Sequence, residues 1–204
     1  MEDSQDLEPT GSASFVPDPP PSRKRLFIPV IVILTVVVVS LLAIKASTQK
    51  QLKTHQQQVE LSEGVVLPDL ELTKMDGGKV QLSDLPHKVM LINFWATWCE
   101  ACIEEMPSLV QLREKFSPKG FEILGVNVDE NPRPVATTAA VKLGMKFPLF
   151  SDEKGELGEV FDLHAIPLTL IINQSRKILM VEPGGRDWNS EEIHQLIEKW
   201  LNEP

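Results

Sequence analysis

The sequence predicts an α/β protein: a mixed sheet with helices on both faces and an N-terminal β-hairpin, preceded by one transmembrane helix. Three observations carry that prediction. Leu26 to Ile44 is a run of 19 residues without a charge, about the length needed to cross ~30 Å of hydrocarbon. Val89 to Trp95 is a continuous strand-like run, apolar at every position but Asn93, as a strand covered on both faces requires. From there to the C-terminus, strand-like and helix-like segments alternate and end in a hairpin and a helix, the pattern of a sheet with packed helices.

Residues 1–22 carry five acids, no base and a Pro-rich end (Pro17, Pro19, Pro20, Pro21), the composition of a disordered tail. Residues 23–45 are the predicted membrane span. Arg23, Lys24 and Arg25 precede it, and its apolar core exceeds the roughly 7–15 residues of a cleaved signal. A core helix of that length would show a polar face. The basic flank leans toward a cytoplasmic N-terminus, and a first apolar segment this near the start acts as a signal-anchor. The C-terminal part is therefore expected outside the cytoplasm, at the inner membrane. Residues 46–64, rich in Gln and Lys, read as a spacer, and residues 65–204 as the folded domain. From Glu60 onward 24 acids face 14 Lys and Arg, so neither nucleic acid nor anionic lipid is an expected partner of that domain.

Within the domain, Leu70 and Leu72, then Asp76-Gly77-Gly78, then Val80 and Leu82 read as a hairpin. Val89–Trp95 follows as a buried strand, then a helix through Met106, Leu109, Val110 and Leu112 with a kink expected at Pro107. Phe121 to Val128 is a second buried strand. Val135 to Leu143 is a helix with Pro134 in its first turn, and Leu157 to Phe161 a short one. Pro167 to Ile172 and Lys177 to Val181 are the last strands. Asn189 to Leu201 closes the chain as a helix, Asn189 serving as its cap with Glu192 three residues on.

Cys99 and Cys102 are the only cysteines. The strand–helix junction places Cys99 at a helix N-terminus, where free N–H groups favour a thiolate. Cys102 is one turn on, within disulfide reach. A domain outside the cytoplasm whose two thiols share one motif uses them for chemistry or metal, not for stapling. Glu100, between them, opposes a second negative charge on Cys99. A less stabilised thiolate makes a more reducing couple, so Glu100 tunes the pair toward reductase rather than oxidase chemistry.

The stretch Asn93-Phe94-Trp95-Ala96-Thr97-Trp98-Cys99-Glu100-Ala101-Cys102, continuing Glu104-Glu105-Met106-Pro107, resembles the thioredoxin superfamily, and within it the membrane-anchored TlpA/ResA-like thiol–disulfide oxidoreductases. Leu82-Ser83-Asp84-Leu85, Gly125-Val126-Asn127-Val128-Asp129 and Ile166-Pro167-Leu168-Thr169 extend the resemblance over Val65 to Leu201. It implies a thioredoxin-like fold, an exposed nucleophile at Cys99 and a partly buried resolving thiol at Cys102. It also implies a cis Pro167, with Trp98, Ile166 and Pro167 meeting the substrate. Thioredoxin carries a buried aspartate where this chain has Asn93. ResA-like proteins instead use a glutamate three residues after the second cysteine, here Glu105, as acid–base group. Ala101 stands where many relatives carry Pro.

The resemblance further implies exported disulfide proteins as substrates, such as apo-cytochrome c or copper-site thiols, a membrane-embedded thiol carrier as reductant, and no cofactor. Three other readings compete. A zinc site would need more ligands than one Cys-x-x-Cys and four unpaired histidines supply. A copper carrier of related fold would pair the cysteines with a histidine such as His164, and usually spaces its cysteines differently. A peroxidase of this fold needs a threonine where Ala96 stands.

Overall fold

The computed structural model describes residues 32–46 and 61–203. Helix α1 spans residues 32–46; its apolar side chains lie open, Val39 at 64% exposure. It belongs to one compact unit and the domain after it to another. Among the described residues no helix is long and apolar enough to cross a membrane. The span expected over 23–45 is thus seen only as this 15-residue helix. Positions 23–31 of it, the tail over 1–22 and most of the spacer lie outside the described residues.

The domain is a seven-stranded mixed sheet in the order β2-β1-β5-β4-β3-β6-β7. Strands β1 (Glu71–Lys74) and β2 (Lys79–Gln81) form the hairpin. Gly77 turns it with φ 90°, a conformation that glycine adopts without a Cβ clash. Strand β3 (Val89–Trp95) is buried at every residue, and β4 (Phe121–Asn127) lies parallel beside it. Helix α2 (Glu100–Phe116) connects them, and α3 (Pro132–Leu143) connects β4 to its parallel neighbour β5 (Leu149–Ser151). Both crossovers advance in the same direction along the sheet. Right-handed connections therefore put α2 and α3 on one face.

Strand β6 (Leu168–Asn173) pairs antiparallel with β3, and β7 (Ile178–Pro183) pairs antiparallel with β6 at the sheet edge. Helix α5 (Glu191–Asn202) returns to the α2 face, where Ile193 and Ile197 join Met106, Leu109 and Leu112. The short α4 (Glu156–Val160) covers the other face, where Leu157 and Phe161 pack with Met90, Ile92 and Phe94. Alternation along β3 divides these layers: Leu91 and Trp95 point to α2, Ile92 and Phe94 away from it.

Three expectations differ from what folds. Strand β5 is absent from the sequence reading, because three residues after Pro148 carry no period of their own. Helix α3 starts at Pro132 rather than Val135, and Pro132 occupies its first turn. The cap of α5 is Ser190, whose hydroxyl accepts from Ile193 N, not Asn189. The Asn189 side chain is spent on Gln111 and His194.

Candidate active site

The site forms where β3 ends and α2 begins, at the carboxyl edge of the parallel strands. Cys99 is the N-cap of α2, and its sulfur accepts from Cys102 N at 3.2 Å. The two cysteines are joined by a disulfide of 2.09 Å, with Cα atoms 5.2 Å apart. Cys99 keeps 8% of its surface and Cys102 none. Cys99 is thus more covered than the exposed thiol that the sequence implies: the Ile166 carbonyl oxygen lies 3.8 Å from its sulfur. The Ile166–Pro167 peptide is cis, and the Pro167 carbonyl accepts from Gly184 N at 2.8 Å. Trp98 stands beside the disulfide at 69% exposure. The cis peptide thus sets the Ile166 carbonyl against Cys99, with Pro167 buried behind it.

The loop that carries Trp98 is held from β4. Asp129, itself buried, accepts from Thr97 N at 3.1 Å, Thr97 Oγ1 at 3.0 Å and Asn127 Nδ2 at 2.8 Å. Glu100 and Glu104 lie on the solvent side of α2.

Glu105 lies one turn beyond Cys102 on the same face of α2 and is only 4% exposed. Its Oε1 accepts from Asn93 Nδ2 at 2.8 Å. Its Oε2 accepts from Trp188 Nε1 at 2.8 Å and from Arg186 N at 3.4 Å. Burial holds this carboxyl above its ordinary pKa, against the lowering pull of Trp188, Asn93 and the Arg186 amide, and Glu182 adds to the rise. The Arg186 guanidinium does not relieve it, because Glu182 (2.6 Å) and Glu192 (3.3 Å) engage it. A buried carboxyl with donors but no cation keeps its proton above the ordinary carboxylate range, as an acid–base group requires. A cleft of about 510 Å³, lined in part by Glu105, Ser108, Gly185 and Arg186, opens beside it to solvent.

Asn93 faces α2 because it shares the parity of Leu91 and Trp95. Thr169, its register partner on β6, lies alongside and accepts from Asn93 Nδ2 at 2.9 Å. The sequence marks Asn93 only as a missing acid, holds Asp129 and Thr169 in motifs without assigning them a role, and leaves Trp188 unmarked. Strand parity signals Asn93; nothing local signals Trp188, which sits in the irregular segment after β7. His164 is exposed and pairs with Asp162 at 3.1 Å. Among the described residues no group of three or more His, Cys, Asp or Glu is placed to hold a metal ion.

The chain matches the AhpC/TSA family over residues 64–181. It is 34% identical over 125 residues to the thiol-disulfide oxidoreductase ResA of Bacillus subtilis (strain 168), covering 61% of this chain and 69% of that protein. It is 29% identical over 147 residues to ResA of Bacillus thuringiensis subsp. konkukian (strain 97-27), covering 72% and 82%. A crystal structure of a DsbE-like thiol:disulfide interchange protein from Chlorobium tepidum superposes with a TM-score of 0.63 at 29% identity, covering 70% of this chain and 100% of that one. With its Cys-x-x-Cys disulfide at the head of α2 in a thioredoxin-like sheet, the chain belongs to the AhpC/TSA family of the thioredoxin superfamily, in the manner of ResA, and is a thiol–disulfide oxidoreductase.

Proposed function

We propose that the chain is a membrane-tethered reductase of disulfides in exported proteins, with its redox domain on the extracytoplasmic side of the inner membrane. The observation that carries the reductive mechanism is the pairing of the Cys99–Cys102 disulfide with the buried, cation-free Glu105 one turn below it. Reduced Cys99 attacks a substrate disulfide, one substrate sulfur leaves, and a mixed disulfide forms. Cys102 gives its proton to Glu105, attacks Cys99, and releases the second substrate thiol. Trp98, Ile166 and Pro167 form the docking surface, and Glu100 disfavours the Cys99 thiolate and so biases the couple toward reduction.

Tethering is supported by the uncharged run Leu26 to Ile44 and by the open apolar surface of α1. As substrate classes we take apo-cytochrome c or copper-site thiols, and as reductant a membrane-embedded thiol carrier, on the family resemblance of the Cys99–Cys102 motif. Cys102→Ser tests the mechanism: it traps covalent partners, whereas Cys99→Ser does not. Equal trapping by both variants defeats the assignment, and the trapped proteins identify the substrates.

A further inference from the structure

The three donors to Glu105 are not equivalent. Oε2 receives the Trp188 indole N–H and the Arg186 amide, groups that can only donate. A proton on Oε2 would confront both. Oε1 meets the side-chain amide of Asn93, which carries a donor at one end and an acceptor at the other. In the present arrangement Asn93 Nδ2 serves both Glu105 Oε1 and Thr169 Oγ1, while the buried Oδ1 has no partner. A half-turn of the amide would bring Oδ1 to the same two groups and leave the NH2 end unpartnered instead. The Thr169 hydroxyl accepts in the first arrangement and donates in the second. Each orientation orphans one end, so the protonation of Glu105 decides between them.

We propose that Trp188 and Asn93 are positioning residues that direct the proton of Glu105 to Oε1: the indole keeps Oε2 as carbonyl oxygen, and the Asn93 amide turns end for end to accept the proton. The inference rests on Glu105 being the proton acceptor for Cys102. In the resolving step the Cys102 S–H proton passes to Oε1, and the thiolate attacks the Cys99 sulfur of the mixed disulfide. The Cys99–Cys102 bond forms as the Cys99–substrate bond breaks. The electron pair leaves on the substrate sulfur, which takes a proton from solvent; the substrate disulfide is the oxidant. Glu105 then returns its proton to water in the adjoining cleft. The charged and titratable groups around Glu105 are Cys99 at the cap of α2, Cys102 and Glu104 within it, Glu182 on β7, Arg186 and Asp187 after β7, and Glu192 on α5. The Arg186 charge is taken by the two glutamates.

Infrared titration of the full-length oxidised protein tests the assignment, with the protonated carboxyl band identified by its loss in Glu105→Gln. Trp188→Phe keeps a ring but removes the donor. Its carboxyl C=O band moves to higher frequency, and its midpoint rises by about one unit, a tenfold change in proton affinity. An unchanged frequency and midpoint would overturn the proposal. Asn93 supplies a readout that needs no substitution at Trp188. Its side-chain amide resonance, in selectively 15N-labelled wild-type protein, changes with the Glu105 midpoint and is insensitive to pH in Glu105→Gln. A resonance constant across the wild-type titration refutes the amide turn. Turnover separates this inference from the one beneath it. Full activity in Glu105→Gln removes the acid–base role, whereas impaired activity with a null infrared result removes only the positioning by Trp188 and Asn93.

Discussion

Glu105 shows how far one residue's surroundings alter its chemistry. Neighbouring Glu104 has the same side chain and stays in solvent, whereas the helix turns Glu105 into the layer shared with Met106, Leu109 and Trp188. Burial raises its pKa, so the folded chain holds that proton to higher pH than the unfolded chain does. Below the ordinary carboxylate range both states are protonated and the residue adds no pH dependence. Between that range and the raised folded value, the unfolded state has lost the proton and stability falls as pH rises; above it the whole penalty remains. Glu105→Gln therefore flattens this decline. Denaturant midpoints of the oxidised protein and variant, compared between about pH 4 and pH 8, check it: the two diverge toward high pH, with the variant the more stable. The glutamine is tolerated because a turned Asn93 amide can accept from its NH2. In the reductase assay the same variant loses the pH dependence contributed by Glu105.

At the scale of elements, packing decides where sequence period is weak. Gly125 lies in β4 where a Cβ would come within 2.7 Å of Leu149 Cδ2 and 3.1 Å of both Phe147 Cε2 and Trp95 Nε1. Removing glycine's freedom in the unfolded chain favours alanine by about 0.4–1 kcal/mol, but overpacking against two buried rings costs about 1–3 kcal/mol. Gly125→Ala is thus destabilising, which urea unfolding will show as a lower midpoint at unchanged slope. Helix α5 offers a gentler case. The Ser190 hydroxyl accepts from Ile193 N at 3.5 Å, a long bond, so Ser190→Ala loses about 0.5 kcal/mol, the low end for a cap. Asn189 and Ser190 both have capping side chains, and only the contacts of Asn189 with Gln111 and His194 decide between them.

For the whole molecule, tethering and redox poise can be measured together. The full chain remains with membranes after an alkaline wash, and deletion of residues 23–45 releases it. Recovery of the full chain in the wash supernatant would refute the anchor. The potential of the Cys99–Cys102 couple, titrated against glutathione, lies closer to about −270 mV than to about −120 mV; a value above about −180 mV favours disulfide formation over reduction. A reporter fused after Pro204 is active only if exported.

The amino-acid sequence by itself determined most of the architecture, because its signals are local. The apolar run Val89–Trp95 marks the central strand, Asp76-Gly77-Gly78 the hairpin turn, and Cys99-x-x-Cys102 the junction of strand and helix. The resemblance carried by those motifs extends to the thioredoxin-like fold and the oxidoreductase chemistry. Tertiary structure alone decided what surrounds Glu105. Trp188 stands 83 residues further along the chain and Thr169 is 76 residues from Asn93, so no window of sequence contains the network. It exists because β3 parity turns Asn93 toward α2, antiparallel register sets Thr169 beside it, and the segment after β7 folds back over the first turns of α2. A buried carboxyl gains its altered proton affinity from that enclosure, and enclosure is a property of packing.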